Sequence, residues 1–168
     1  MSVRHISEIT RNMVQAHIRA NIAAALSDLR TDMADPIVTT EPPQSYFIFP
    51  NAQSYKTPAI FTIVESFDFR LEKQNANHIN ANVKLNVAAL VEDRDLYRLT
   101  IKADRYSAAL HFVLAQYPLV DLAKNVKLVI LVDQVTFSPE YSNAGDDPQG
   151  LFRKEVLLEC SVQHYSAL

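Results

Sequence analysis

Glycine is scarce in this 168-residue sequence, which contains only Gly145 and Gly150. Loops that bind nucleotide phosphates through backbone amides use the motifs G-x-G-x-x-G or G-x-x-x-x-G-K-[ST], in which glycines let the backbone approach the phosphates. The turn that carries the nucleophile of many hydrolases uses G-x-S-x-G. None of these motifs occurs in the chain, and the corresponding enzyme classes are excluded.

Cysteine and long apolar runs are equally scarce. Cys160 is the only cysteine, so the sequence predicts no internal disulfide and no cysteine-based zinc site. The longest apolar runs, such as 126–132 and 87–91, are far shorter than the roughly 20 residues of a membrane-spanning helix. The N-terminal residues lack the apolar core of a secretory signal. We therefore expect a protein of the reducing cytoplasm that contacts no membrane.

Charge of either sign is modest. The 16 basic and 19 acidic residues give a net charge of −3, and no basic stripe of the kind that binds nucleic-acid phosphates is visible. Hydrophobic residues make up 48% of the chain and charged residues 21%, as in an ordinary soluble domain. A chain of this length buries roughly 70% of its unfolded surface, so we expect residues 1–168 to form a single domain.

Two segments have the apolar periodicity of amphipathic helices. In residues 5–30 the apolar stripe consists of Val14, Ile18, Ile22, Leu26 and Leu29. In residues 95–117 it consists of Leu99, Ala103, Tyr106, Leu110, Val113, Leu114 and Tyr117. Asp93 or Asp95 is placed to cap the second helix, and Pro118 ends it.

A long antiparallel hairpin is predicted from residues 59–72 and 80–91, which alternate as strands and flank an asparagine-rich turn. In the first strand one phase is apolar and aromatic. Glu65 interrupts it and marks either a bulge or an exit of the strand from the core. That phase consists of Phe61, Ile63, Phe67, Phe69 and Leu71. In the second strand the apolar residues from Ala81 to Val91 alternate with polar ones.

Two further strands follow the second helix. Residues 126–137 are apolar on both phases until Asp133 and Gln134, so we expect a central strand that is covered on both sides. Residues 152–165 alternate again. Their core-facing phase consists of Val156, Leu158, Cys160 and Val162.

Two stretches interrupt this pattern. Residues 31–58 contain five of the eight prolines and predict an extended, Pro-rich arm. Within the arm, the apolar residues 46–49 form either a short edge strand or a segment pressed on the core. Residues 138–150 predict a long acidic loop.

The element order predicts an α+β, two-layer sandwich, with a mainly antiparallel sheet of about four strands, two helices on one face, the arm and the long hairpin.

No constellation of residues predicts catalysis or metal binding. The five histidines are scattered, and none forms an H-E-x-x-H motif. We expect His164, in the last strand, to be a polar group on the face of the sheet. Asp146 and Asp147 do not have EF-hand spacing and indicate a solvated loop. The charged run 92–95 indicates helix capping and local salt bridges rather than acid–base chemistry. Cys160 alternates with apolar neighbours and indicates a small buried side chain. We expect no enzyme activity, no cofactor and no metal.

A known family is recognisable in the middle of the chain. The strand Val83-Lys-Leu-Asn-Val-Ala-Ala-Leu-Val-Glu-Asp-Arg-Asp ends in a charged turn, and the following helix contains Arg105-Tyr106-Ser107-Ala108-Ala109-Leu110. This run resembles the tail terminator and tail-completion proteins of tailed bacteriophages. The closing strand, Phe152-Arg-Lys-Glu-Val-Leu-Leu-Glu-Cys-Ser-Val, is also similar, as is an opening helix followed by a proline-containing stretch.

The resemblance implies a role in the virion, at the head-proximal end of the tail. There a homo-hexameric ring would stop growth of the tail tube and bind the neck, after assembly in the host cytoplasm. The implied partners are other copies of the chain, the tail tube protein and a neck or stopper protein. DNA would only pass through the lumen, where acidic residues repel phosphates. The 31–58 arm and the 138–150 loop exceed the smaller family members and suggest contact with a sheath protein.

Other interpretations are a different neck component, such as a head-completion or stopper protein, or a small ligand-binding α+β domain or enzyme that uses the arm as a lid. Candidate contacts with neighbouring subunits or partners lie in the arm, in the distal hairpin (residues 70–82) and in the acidic loop, which we expect to become ordered on binding. These residues are Tyr46, Phe47, Phe49, Arg70, Glu72, His78, Tyr141, Asp146 and Asp147.

Overall fold

The computed structural model describes residues 5–32, 40–48, 56–69, 78–116, 118–142 and 150–167. These ranges contain two helices and seven strands, and the predicted α+β class is confirmed. The elements are α1 (Ile6–Asp32), β1 (Ser45–Phe47), β2 (Ala59–Phe69), β3 (His78–Asp93), α2 (Leu96–Ala115), β4 (Leu119–Asp121), β5 (Val126–Phe137), β6 (Tyr141–Ser142) and β7 (Phe152–Ala167).

The strands form one mixed sheet in the order β1-β2-β3-β7-β5-β4, with β6 also beside β7. The prediction of about four antiparallel strands is wrong in number. β1, β4 and β6 contain only two or three residues each, too few for side-chain alternation to be recognised in the sequence. β1 also pairs with β2 in parallel, so the sheet is not purely antiparallel.

The centre of the sheet is the pair β3 and β7, in which 16 residues of each strand face one another without interruption, from His78 opposite Ala167 to Asp93 opposite Phe152. One face of this pair is apolar and buried beneath both helices. The buried apolar side chains on this face are Ile79, Ala81, Val83, Leu85, Val87, Ala89 and Val91 of β3, and Val156, Leu158, Cys160 and Val162 of β7. Ala88 and Leu90 of β3 are buried on the opposite face. Burying one such valine or leucine is worth about 1.5–3 kcal/mol.

The helices use the predicted apolar stripes. The buried apolar residues of α1 recur four positions apart over most of its length: Ile6, Val14, Ile18, Ile22, Ala25 and Leu26. Asp95 caps α2, because its Oδ1 accepts a hydrogen bond from the Arg98 backbone N–H at 3.0 Å. His17 joins the two helices, since its Nε2 donates to the carbonyl oxygen of Val113 at 3.0 Å.

A bulge at Glu65 confirms the interruption predicted there, because the register of β2 against β3 shifts between Val64 and Ser66. Before the bulge Phe61 lies opposite Ala88, and after it Phe67 lies opposite Val83. Val83 belongs to the helix-covered face of β3, and an even-numbered residue such as Ala88 points to the other face. The single phase predicted for 61–71 is therefore wrong, since one extra residue moves the later aromatic residues to the opposite face.

β5 is not covered on both sides, contrary to the expectation from its apolar sequence. β7 pairs with it along most of its length, but β4 pairs only with Val126, Lys127 and Leu128. On the face turned away from the helices, Leu131 is 53% exposed and Lys127 is exposed. Continuous apolar character is typical of a strand buried on both faces, but here one face and most of one edge are open among the described residues.

We predict that truncating leucine costs very different amounts of stability at two positions of this sheet. Leu85→Ala should lower the free energy of unfolding by about 2–5 kcal/mol, because Leu85 is fully buried and its loss leaves a cavity. Leu131→Ala should lower it by less than about 1 kcal/mol, because the side chain is half exposed. Urea denaturation followed by circular dichroism measures both, and equal losses would contradict an open face at β5.

Candidate assembly surface

Tyr46 and Phe47 lie in β1, where both side chains contact the rest of the subunit. Tyr46 is half-buried, with the Arg19 guanidinium 4.7 Å from its ring centroid. Burial raises the pKa of Tyr46, opposed by the charge of Arg19. Phe47 points to the other face and stacks on Phe61, with ring centroids 5.5 Å apart, while its carbonyl oxygen accepts from Gln15 Nε2 at 3.2 Å. Their contact with a partner stays a prediction.

The start of α2 carries a half-buried network of charges. Asp93 pairs with Lys102 at 2.8 Å and with Arg98 at 3.6 Å. Burial alone would raise the pKa of Asp93, but the hydrogen bonds from Lys102 and from the Asp95 N–H, together with the nearby cations, hold it below its usual range. Glu92 pairs with Arg153. These are the local salt bridges that the charged run 92–95 predicted, and they join α2, β3 and β7.

The 138–150 loop leaves the sheet through β6, whose Tyr141 lies opposite Arg153 and Ser142 opposite Phe152. Lys154 binds Glu140 at 2.6 Å, and this hydrogen bond lowers the pKa of Glu140. Asp146 and Asp147, predicted as partner contacts, lie outside the described residues.

The distal hairpin is described only at its base. The backbone of His78 begins β3 opposite Ala167, whereas Arg70 and Glu72 lie outside the described residues, as does Phe49 of the arm. The roles assigned to these positions, and to Tyr141, therefore stay predictions.

One polar side chain of the core, that of His164, lies where the sequence did not predict it. His164 was expected on a polar sheet face, but it is fully buried and its Nδ1 lies 2.9 Å from Thr10 Oγ1 of α1. Its position two residues after Val162, in the same strand phase, was the available signal. Burial lowers the pKa of His164 to about 4, and its Nε2 has no hydrogen-bond partner in the described structure.

Arg105 and Tyr106 connect α2 to the arm. Arg105 is 1% exposed, and its Nη1 donates to Thr40 Oγ1 at 3.3 Å. The Tyr106 hydroxyl donates to the carbonyl oxygen of Glu41 at 2.6 Å, and burial raises its pKa. Both residues belong to the run that resembles the phage family. Within this chain they hold residues 40–41 against the helix.

Among the residues that the structure describes, both lateral edges of the sheet are partly open. β1 covers β2 at Ala59–Phe61, and no described strand lies outside β2 over residues 62–66. A groove of about 530 Å³ runs beside this edge. It is lined by Ser7, Arg11, Ile48, Ile63, Val64, Glu65, Ser66 and Phe67. At the other edge, β5 pairs on its outer side only with β4, and no described strand lies outside residues 129–137.

A second groove, of about 470 Å³, lies between α1 and β4 and is lined mainly by apolar residues, including Met13, Ala16 and Leu119. The described part of the chain holds no group of three or more His, Cys, Asp or Glu side chains arranged to bind a metal. Neither α1 nor α2 is long and apolar enough to cross a membrane. The described residues provide surfaces suited to contact with other chains, namely strand edges, exposed apolar side chains and two grooves.

We predict that acid destabilises the fold through His164. Its ordinary pKa is 6.5 and its folded pKa is about 4, so between these values the unfolded chain binds a proton that the folded chain does not. The contribution is fully present above pH 6.5 and is lost as the pH falls toward 4. Since one pKa unit corresponds to about 1.4 kcal/mol, the loss should reach about 1–3 kcal/mol.

Urea denaturation at several pH values between 7 and 5 measures this loss. His164→Gln cannot titrate, so its stability should vary less with pH over this range, whatever its absolute stability. His5→Gln is the matched control, because the His5 side chain is 59% exposed, and it should keep the wild-type pH dependence. An unchanged pH dependence in His164→Gln would contradict the assignment.

Comparison with known proteins does not assign the chain to a family. No family model matches the chain, and no curated protein matches it. Among solved structures it is similar to a chain of "Virion of native gene transfer agent (GTA) particle", with 12% identity and a TM-score of 0.38, over 87% of this chain and 94% of that chain. At such a TM-score, function has to be argued from the residues of this chain.

Proposed function

We propose that the chain is a structural protein of a bacteriophage-like virion. In this proposal six copies form a ring at the head-proximal end of the tail tube, stop its growth and join it to the neck. The chain performs no catalysis, and DNA only passes through the lumen of the ring. The tail tube protein and a neck or stopper protein are its partners, and a sheath protein contacts the arm or the acidic loop.

The observation that carries the proposal is the sheet with two open edges. A strand edge presents unpaired backbone N–H and C=O groups that readily pair with another chain, and monomeric proteins generally cover or interrupt such edges. Here the long strands β2 and β5 flank the sheet, and their described outer sides are covered over only three residues each. A chain built in this way is suited to assembly with further copies.

The residues behind the family resemblance also support the proposal. β3 ends at Asp93 in the charged turn, and α2 begins directly after the Asp95 cap. In the helix, Arg105 and Tyr106 contact residues 40 and 41. The arm is thus attached to the part of the chain that resembles tail terminator and tail-completion proteins.

Different strands are connected at the two ends of the sheet, and this difference suits a ring with two unlike faces. The connection of residues 70–77 joins β2 to β3 at one end, and residues 143–149 join β6 to β7 at the other. In a ring whose strands run along the axis, the sheet end with Phe69 and His78 and the sheet end with Ser142 and Phe152 would form opposite faces. We assign one face to the tube and the other to the neck.

We predict that the purified protein forms a species of six 19.0 kDa chains. Light scattering on a sizing column, across a concentration series, measures the native mass, and negative-stain electron microscopy should show closed rings. A monomer at every concentration would contradict ring formation by the free chain.

Loss of the gene from its genome tests the role of the ring. The proposal predicts particles with tails of unregulated length that are not joined to heads, as seen by electron microscopy. Tails of normal length that lack only their heads would instead indicate a head-completion or stopper protein.

A further inference from the structure

We propose that the ring is closed by strand pairing, with the outer edge of β5 in one copy lying antiparallel to the outer edge of β2 in the next. The partner on each open edge is therefore a second copy of this chain. The inference rests on the proposed ring and specifies the surfaces that join its subunits.

The two open edges lie at the same height in the sheet, as the register shows. The cross-strand partners can be followed from β2 through β3 and β7 to β5. Along this path Thr62 lies level with Val135, Val64 with Val132 and Ser66 with Leu131. β1 covers β2 only below this level, at Ala59–Phe61, and β4 covers β5 only above it, at Val126–Leu128. A copy placed beside another without vertical shift therefore brings open edge to open edge.

Strand direction also fits this arrangement. Each neighbour within β2-β3-β7-β5 is antiparallel to the next, so β5 runs opposite to β2. The β5 of one copy beside the β2 of the next continues the same alternation. The contact joins two different surfaces, which is the heterologous type that a ring of identical subunits needs.

The side chains on the helix-covered face match across the junction. Thr62 and Val64 would face Val135 and Val132, and Val64, Val132 and Val135 are partly buried residues at the margins of the core. Pairing would cover these margins and make the apolar layer continuous from one copy to the next. Cross-strand pairs of β-branched residues stabilise sheets by roughly 0.2–1 kcal/mol each.

Charges on the face turned away from the helices are compatible with the pairing. Edge bulges and acidic side chains often block strand addition, and β5 has a bulge at Asp133, where its register against β7 shifts between Val132 and Gln134. The carboxylates at both bulges, Glu65 and Asp133, bind within the subunit. Glu65 accepts from Asn86 Nδ2 at 2.5 Å, and Asp133 pairs with Lys84 at 3.0 Å.

An engineered disulfide tests the contact. Ser66 and Leu131 are both exposed and would face each other across the junction. Within one copy they are separated by β3 and β7, about 14 Å at normal strand spacing, and disulfides do not bridge Cα atoms more than about 7 Å apart. Under mild oxidation, the S66C/L131C variant should therefore give an intermolecular ladder that ends at six chains on a non-reducing gel.

The control pair is S66C/T136C, because Thr136 lies on the same face of β5 but level with Phe61, and it should give no ladder. Dimers from L131C alone would show symmetric pairing of two β5 strands and would overturn the proposal. A missing ladder in S66C/L131C, while the wild type still runs as a ring, would overturn this contact and leave the proposed function standing. A monomeric wild type together with no ladder would overturn both.

A charge placed on the edge is the second measurement. Leu131→Asp should shift the native mass from the ring to the monomer while the circular dichroism spectrum stays that of a folded chain. Leu122→Asp is the matched control, because Leu122 is 84% exposed and lies off the β5 edge, and it should keep the ring. A ring that persists in Leu131→Asp would count against the proposed contact.

Discussion

The uninterrupted pairing of β3 with β7 is the constraint on which the rest of the structure depends. Because 16 consecutive residues of each strand face one another, a shift by one residue would turn every buried side chain of the shifted strand to the opposite face of the sheet. The pair also determines the positions of its neighbours, since β2 pairs with β3, and β5 and β6 pair with β7. Both helices then pack on the larger apolar face that this register creates, while a smaller buried cluster around Phe61 and Ala88 lies on the opposite face.

The parts of the fold that could be predicted from sequence are those with long, regular apolar patterns. The stripes of α1 and α2 and the alternation of β3 and β7 each extend over many residues, so that one irregular position does not obscure them. Glu65 was recognisable because a charge interrupts an apolar phase. Its effect on the later aromatic residues was not, because only the register against β3 shows that the phase has moved to the other face.

The rest depends on contacts between distant residues. β1 is a strand only because residues 45–47 meet residues 59–61, and three residues have no recognisable period. β5 is as apolar as a central strand, and only the shortness of β4 leaves its edge open. The candidate contacts were predicted from aromatic and charged residues in the arm, the hairpin and the acidic loop. The open strand edges of the described structure instead present mainly backbone groups. A strand edge has no signature in residue type, so it became visible only with the topology.

The way in which the long connections leave the sheet has a consequence for engineering. Residues 70–77 and 143–149 join strands at their ends, so a change in their length leaves every strand register as it is. Closing a longer loop costs little, about 0.6 kcal/mol for each doubling of length. An affinity tag or a fluorescent reporter inserted between these strand ends should therefore leave the sheet of the free subunit intact.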